Sequence, residues 1–91
     1  MSKRNFNVAV IGCGEIADFH MKGVLAKEQC TLYAICDNAA DDRLERRAKT
    51  YNPQITVKDY KELVNDPAVD IAIIATPDKT HKEMACAFLR A

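Results

Sequence analysis

The feature that most constrains the fold is an apolar segment that passes through two closely spaced glycines directly into a helical pattern. Residues 7–11 read as a β-strand, Gly12 and Gly14 follow, and a helix is predicted over residues 15–27. Glycine lacks a Cβ, so the backbone in such a turn can approach another group closely. A strand, a tight turn and a helix in this order form the first unit of a parallel α/β sheet.

The same alternation continues along the 91 residues. Further strands are predicted at 32–36, 55–57 and 70–75, and the last of these is the most apolar stretch, as expected near the middle of a complete sheet. The helices are predicted to begin near Asn38 or Ala39, at Asp59, and near Asp78 or Lys79. We therefore predict an α/β fold with a doubly wound parallel sheet, the Rossmann type, of about four β-α units.

Capping and periodicity give finer predictions for the helices. Asn38 is a candidate N-cap of the second helix, and the spacing of Asp59 and Glu62 resembles a capping box. The predicted inward stripes are Ala17, Met21, Val24 and Leu25 in the first helix, Leu44, Ala48 and Tyr51 in the second, and Met84, Ala85, Phe88 and Leu89 in the last.

Composition excludes several classes of function. The 13 basic and 13 acidic residues balance, which is unlike the basic surface of a nucleic-acid-binding protein. No segment has the roughly 18 apolar residues of a membrane span, and no signal peptide is recognisable, so we expect a cytoplasmic protein. The four cysteines show no metal-ligand spacing, and we expect buried free thiols and no metal site.

The glycine turn predicts a phosphate-binding device. Gly12 permits the tight turn after the strand, Gly14 lets the backbone approach a diphosphate, and Ala17 takes the third position, where the helix packs closely on the sheet. The helix N-terminus adds N–H groups that favour an anion. The alternative is an ordinary βα turn that needs glycine only for its backbone angles.

Asp37 favours the dinucleotide. It ends the second predicted strand, about 20 positions after the glycines, where a carboxylate reaches the adenosine ribose hydroxyls. A 2′-phosphate would meet like charge there, Asn38 is neutral, and Arg43 lies more than a turn into the predicted helix. We therefore predict NAD rather than NADP, with helix capping as the alternative role of Asp37.

These residues together resemble the Gfo/Idh/MocA oxidoreductases, which are sugar, inositol and related dehydrogenases. The resemblance rests on Gly12-x-Gly14-x-Ile16-Ala17-x-x-His20, Asp37, Tyr51, Asp59-Tyr60 before Leu63, and Ala75-Thr76-Pro77-x-x-x-His81. It implies an N-terminal Rossmann domain that holds a nicotinamide cofactor, and a C-terminal domain that shapes the substrate pocket and the homo-oligomer interface.

Carried over by residue, the resemblance places a cofactor site on this chain. Its members are Gly12, Cys13, Gly14, Glu15, Ile16, Ala17, Asp37, Asn38, Thr76, Pro77 and His81. Cys13 is expected to be a spacer, although N–H groups nearby would favour a lowered thiol pKa. For His81 a local backbone contact is an equal alternative, and His20 is expected to pack beneath the turn.

The resemblance also implies what residues 1–91 lack. We expect an incomplete dinucleotide-binding domain without catalytic residues, because the family's Glu-Lys-Pro lysine and the substrate domain would follow later. The predicted function is the NAD-binding portion of an oxidoreductase acting on a sugar, cyclitol or related polyol. Alternatives are an NAD-sensing regulator of the same fold and the Rossmann domain of another dehydrogenase class. The isolated chain is expected to be inactive and to self-associate through an open edge of the fourth strand.

Overall fold

The computed structural model describes residues 5–38, 41–76 and 84–89. Its elements in chain order are β1 (Phe6–Ile11), α1 (Glu15–Leu25), β2 (Cys30–Cys36), α2 (Arg43–Tyr51), β3 (Ile55–Val57), α3 (Lys61–Val64) and β4 (Ile71–Ile74), followed by a helical segment, α4, over 84–89. The predicted alternation of strands and helices is confirmed, and the strand ends differ from the predicted ones by at most two residues. The predicted start of the last helix, near Asp78 or Lys79, lies outside the described residues.

The four strands form one parallel sheet in the order β3-β2-β1-β4. The chain therefore moves outward from β1 to β2 and β3, and then returns to the other side of β1 to form β4. This reversal is the defining property of a doubly wound sheet, and it puts the switch point between β1 and β4. The predicted fold class is confirmed.

Apolar residues fill both faces of the sheet. On one face, β1 contributes Val8 and Val10, which pack with buried residues of α1 and α2: Ala17, Met21, Val24, Leu44 and Tyr51. On the other face, β1 contributes Ala9 and Ile11, and the helical partners are Leu63, Met84 and Phe88. All four of these β1 residues are buried, because the sheet is covered on both sides.

A register shift in β2 adjusts which side chains reach each face. Val8 pairs with Leu32 but Ala9 pairs with Ala34, so Tyr33 is an additional residue in β2. Tyr33 packs on the α3 side of the sheet, and its hydroxyl donates a 2.6 Å hydrogen bond to Asp66 after α3. This contact ties β2 to the loop that leads into β4.

The second helix begins later than the sequence predicts. The prediction of Asn38 as its N-cap is wrong, because α2 starts at Arg43 with Asp42 in the N-cap position. Before the helix, the Asp41 carboxylate accepts hydrogen bonds from the backbone N–H and the guanidinium of Arg43. Because α2 begins at Arg43, the prediction that this residue lies more than a turn inside the helix is wrong.

Three smaller predictions also differ from the structure. The Asp59 carboxylate accepts the N–H of Lys61 at 3.0 Å, whereas a capping box would use the N–H of Glu62. Leu25 is 51% exposed and Leu89 is 85% exposed, so neither belongs to the inward stripe of its helix. Both lie in the last turn of the helix as described, where the apolar face no longer meets the sheet.

Gly12 determines how closely β1 and β4 can approach at their carboxyl ends. Its φ is +102°, which L side chains rarely adopt, and a Cβ built there would lie 2.9 Å from the carbonyl oxygen of Ala75. The obstacle is backbone of the neighbouring strand, so it cannot rotate away as a side chain would. The sheet therefore requires glycine at this position.

We predict that Gly12→Ala lowers the free energy of unfolding by about 2 kcal/mol or more, because the positive φ and the contact with Ala75 both penalise a methyl group. The matched control is Gly23→Ala in α1, where a Cβ meets nothing within 4 Å. It should raise stability by about 0.5–1 kcal/mol, since alanine favours a helix interior. Urea denaturation of the two variants measures both values, and equal effects would contradict the account.

Candidate functional site

The carboxyl ends of three strands bring the predicted site residues together. Gly12 follows β1, Asp37 follows β2, and Thr76 lies beyond β4. The N–H of Gly12 donates to the carbonyl of Cys36 at 2.6 Å, and a Cβ on Gly12 would lie 3.4 Å from Cγ2 of Thr76. Ligands of open α/β sheets bind at this position, outside the strand ends at the switch point.

The first turn of α1 presents backbone N–H groups at this edge. Gly14 is the N-cap of α1 and supplies no side-chain hydrogen bond, and a Cβ there would meet nothing within 4 Å. Helix geometry leaves the first N–H groups of α1 without intrahelical acceptors, and the helix dipole favours an anion near them. Open space next to N–H donors fits a diphosphate group, so these residues are suited to hold a dinucleotide.

Asp37 contacts the glycine turn, which we define as residues 12–14. Its Oδ2 accepts a 2.9 Å hydrogen bond from the backbone N–H of Cys13. The alternative that Asp37 caps the following helix is wrong, because Asp42 occupies that position. The carboxylate thus lies at the turn itself, beside the space in front of α1.

Cys13 is a buried spacer in the turn. Its side chain is 1% exposed, and its thiol lies 3.8 Å from the carbonyl of Cys36. Burial, and secondarily the charge of Asp37, raises the pKa of the Cys13 thiol to about 12. The expectation that nearby N–H groups lower this pKa is therefore wrong, because desolvation of the thiolate outweighs them.

Sequence reasoning missed a polar cluster that joins α1, α2 and the turn. Arg47 donates from Nε to the carbonyl of Cys13 at 3.2 Å and from Nη1 to Asp18 at 3.0 Å. The Tyr51 hydroxyl donates a short hydrogen bond to the same Asp18 oxygen, and Lys22 lies 3.3 Å from the other. This hydrogen bond from Tyr51 is the largest influence that lowers the pKa of Asp18.

A sequence signal for this cluster existed. Arg47 and Tyr51 are four positions apart and lie on one side of α2, and Asp18 is in the first turn of α1. The sequence predicts Tyr51 in the inward stripe of the second helix and places it among the residues of the family resemblance, but it predicts no contact for Arg47. A charged residue on the same helical face as a buried tyrosine indicated a polar contact between helices.

The remaining predicted site residues are placed as follows. Ala17 is fully buried against the sheet, Ile16 is 67% exposed, and Glu15 and Asn38 are exposed. Thr76 is half-buried, and its hydroxyl lies 3.7 Å from the Met84 sulfur. Pro77 and His81 lie outside the described residues. His20, expected beneath the turn, is half-buried. Its ring meets the Phe19 ring edge to face, with the two ring centroids 6.0 Å apart.

The described part of the chain offers neither a cluster of metal-ligating side chains nor a helix suited to a membrane. No group of three or more His, Cys, Asp or Glu side chains there is arranged to hold a metal ion. Among the same residues, no helix combines the length and the apolar character needed to cross a membrane. All four cysteines are free thiols, of which Cys13 and Cys36 are buried while Cys30 and Cys86 are half-buried.

Comparison with known proteins agrees with the geometry. The family model GFO_IDH_MocA, described as an oxidoreductase family with an NAD-binding Rossmann fold, matches residues 6–91. A myo-inositol 2-dehydrogenase from Thermotoga maritima is 32% identical over 84 residues, which cover 92% of this chain and 25% of that protein. An alpha-N-acetylgalactosaminidase from Shewanella oneidensis is 35% identical over 86 residues, covering 86% of this chain and 19% of that protein.

A solved structure has the same arrangement of elements. The crystal structure of a probable dehydrogenase from Thermotoga maritima matches with a TM-score of 0.87 at 30% identity, covering 93% of this chain and 25% of that one. The chain thus spans about a quarter or less of the length of these relatives.

We predict that Cys13 and Cys36 resist alkylation by iodoacetamide at pH 8 in the folded protein and react once it is unfolded. Burial raises the pKa of both thiols from 9.0 to about 12, and only the thiolate is nucleophilic. Peptide mass spectrometry after labelling identifies each site. Labelling of both at the rate of the unfolded chain would contradict the assignment.

The same two thiols make stability depend on alkaline pH. Because their pKa is raised on folding, the unfolded chain loses these protons first, and stability falls as pH rises from 9.0 toward about 12. Urea denaturation at pH 8 and pH 9 measures the effect below the pH at which unfolded tyrosine side chains, with an ordinary pKa of about 10, ionise substantially. Cys36→Ala should reduce the decrease, and an unchanged decrease in this variant would exclude the thiol as its source.

Proposed function

The chain belongs to the Gfo/Idh/MocA oxidoreductase family, and from this membership we propose that residues 1–91 are the cofactor-holding portion of an NAD-dependent dehydrogenase. The parent enzyme would transfer a hydride between the nicotinamide and a sugar, cyclitol or related polyol. The observation that carries the proposal is the glycine turn, where Gly14 leaves open space in front of the N–H groups of α1. An anionic dinucleotide matches these N–H groups in charge, and the open space beside Gly14 leaves room for it.

The proposed roles of the described residues follow their positions, whereas those of Pro77 and His81, which lie outside the described residues, follow the family resemblance. The backbone from Gly12 to Ala17 forms the diphosphate side. Its N–H donors for the anion begin at Gly14, because the Cys13 N–H is held by Asp37, and Gly14, Glu15 and Ile16 lie nearest to the anion. Asp37 and Asn38 form the adenosine side, whereas Thr76, Pro77 and His81 form the nicotinamide side. NAD would supply hydride transfer at nicotinamide C4, and the protein would supply binding and orientation.

Two carboxylates favour NAD over NADP. Asp37 places negative charge beside the turn, where a 2′-phosphate would be repelled. Arg43, at the start of α2, is near enough to Asp37 for their charges to interact, but it is paired with Asp41 through Nε at 2.9 Å and Nη2 at 2.8 Å. The guanidinium is therefore already engaged with an anion.

The polyol substrate is proposed from the relatives. The similar Thermotoga protein is named as a myo-inositol 2-dehydrogenase, which supports a cyclitol or related polyol. The similar Shewanella protein is named as a glycosidase, so glycoside cleavage is a second candidate. In the full-length protein, NADH formation with myo-inositol supports the first, and release of N-acetylgalactosamine from its glycoside without net NADH supports the second. Binding of NAD with neither reaction would support the regulatory alternative.

We also propose the setting and assembly of the parent protein. The four free cysteines support a reducing compartment, and we place the protein in the cytoplasm. Balanced charge supports a small-molecule partner and neither a nucleic acid nor a membrane surface. We further propose that the parent protein forms a homo-oligomer through its substrate domain. The isolated chain 1–91 is proposed to have no catalytic activity.

We predict that Asp37→Asn shifts the ratio of NADPH to NADH affinity toward NADPH by about tenfold or more, because it removes the like charge that faces the 2′-phosphate. Asparagine retains an oxygen that can accept the Cys13 N–H, so the turn should persist. Nicotinamide fluorescence titrations with both cofactors measure the ratio.

The matched control for this variant is Glu45→Gln, which removes one negative charge from an exposed position in the same helix that follows Asp37. Its ratio of affinities should equal that of the wild type. Tighter binding of NADPH than NADH by the wild-type protein would overturn the role proposed for Asp37.

A further inference from the structure

Both backbone polar groups of Cys13 are held by side chains from other elements. Its N–H donates to Asp37 at 2.9 Å, and its carbonyl accepts from Nε of Arg47 at 3.2 Å. Cys13 is the middle residue of the glycine turn, between two residues that have no side chains of their own to fix the backbone. The orientation of this turn is thus set by β2 and α2.

The contact with Arg47 determines where the next N–H points. In a planar trans peptide the carbonyl of one residue and the N–H of the next point in opposite directions. Because the Cys13 carbonyl faces Arg47, the N–H of Gly14 faces away from α2. A rotated peptide would exchange these directions and present a carbonyl oxygen, which repels an anion, where a donor is needed.

Arg47 is itself held in place by a network of hydrogen bonds. Its Nη1 donates to Asp18 at 3.0 Å, and Asp18 also accepts the Tyr51 hydroxyl. The Arg47 and Asp18 side chains are each only 24% exposed, so this ion pair is partly shielded from water. Charge-assisted bonds in such surroundings are stronger than neutral ones and fix the planar guanidinium.

We propose that Arg47 is a positioning residue for the dinucleotide, acting through the Cys13–Gly14 peptide, and that Asp18 and Tyr51 hold Arg47 in the orientation that this requires. The inference rests on the proposed function, because it assigns Arg47 to the same cofactor site. Arg47 acts on the turn and does not contact the dinucleotide. A turn already in its bound conformation loses less entropy on binding, which increases affinity.

The competing explanation is that Arg47 only joins α1 to α2. Arg47→Lys separates the two roles, since lysine keeps the positive charge beside Asp18 but lacks the planar fork that reaches Asp18 and the Cys13 carbonyl together. The matched control is Arg46→Lys, the preceding residue of α2, whose guanidinium pairs with exposed Asp42. Both variants make the same chemical change.

The experiment compares three measurements on purified wild-type and variant proteins. NADH affinity is measured by fluorescence titration, the melting temperature by calorimetry, and the Gly14 amide by ¹⁵N-resolved NMR without cofactor. Arg47→Lys should weaken NADH binding about tenfold, which corresponds to the free energy of one charge-assisted hydrogen bond that holds the turn. It should also shift the Gly14 amide resonance. Arg46→Lys should change neither, and the Gly23 amide in α1 should stay unchanged in both.

Tyr51→Phe tests the link through Asp18. It removes the hydroxyl that donates to Asp18 while retaining the buried ring. We expect NADH affinity to fall about threefold, because Arg47 loses part of its support. In the double variant with Arg47→Lys, the loss should be smaller than the product of the two single losses, as coupled residues require.

The outcomes separate this inference from the proposed function. A wild-type protein that binds neither NADH nor NADPH refutes the proposed function, and the cofactor part of the inference with it, whatever the NMR spectrum shows. A wild-type protein that binds NADH, with an Arg47→Lys variant that retains its affinity and its Gly14 resonance, refutes the inference alone. A lowered melting temperature with unchanged affinity assigns Arg47 to helix packing and also overturns it.

Discussion

The close approach of β1 and β4 at Gly12 is the constraint on which the rest of the site depends. A Cβ at Gly12 would lie 2.9 Å from the Ala75 carbonyl, so only glycine lets the two strand ends meet. That meeting defines the switch point of the sheet, and it brings Thr76 beside the turn. The first helix then begins directly at the strand ends, with its N-terminus facing the same edge.

With the ends of β1 and β4 held close together, the site has two kinds of components. Backbone N–H groups at the start of α1 offer the donors that a diphosphate needs, and side chains from β2 and α2 orient the peptide groups that carry them. Asp37 is one of the orienting side chains, because it accepts the Cys13 N–H, and its carboxylate is also the group proposed for the adenosine side. The proposed selection of NAD and the observed geometry of the turn therefore involve the same residue.

The sequence predicted what depends on short-range pattern. The alternation of strands and helices, the glycine turn and the burial of Ala17 follow from apolar periodicity and residue spacing. It did not predict the start of α2, which begins at Arg43 with Asp42 as its N-cap, because both Asn38 and Asp42 are residue types that favour an N-cap and the sequence does not decide between them. Nor did it reveal that Arg47 contacts Cys13, since that contact joins residues 34 positions apart whose proximity exists only after α1 and α2 pack on one face.

The most direct test of the account is to map NADH binding on the ¹⁵N-labelled protein by amide chemical shifts. If the dinucleotide binds at the glycine turn, addition of NADH shifts the amides of Gly14, Glu15 and Ile16, and also that of Asp37, while the Gly23 amide in the middle of α1 remains in place. Binding with perturbed amides elsewhere and an unchanged turn, or no perturbation at saturating NADH, would contradict the assignment of the cofactor to this edge of the sheet.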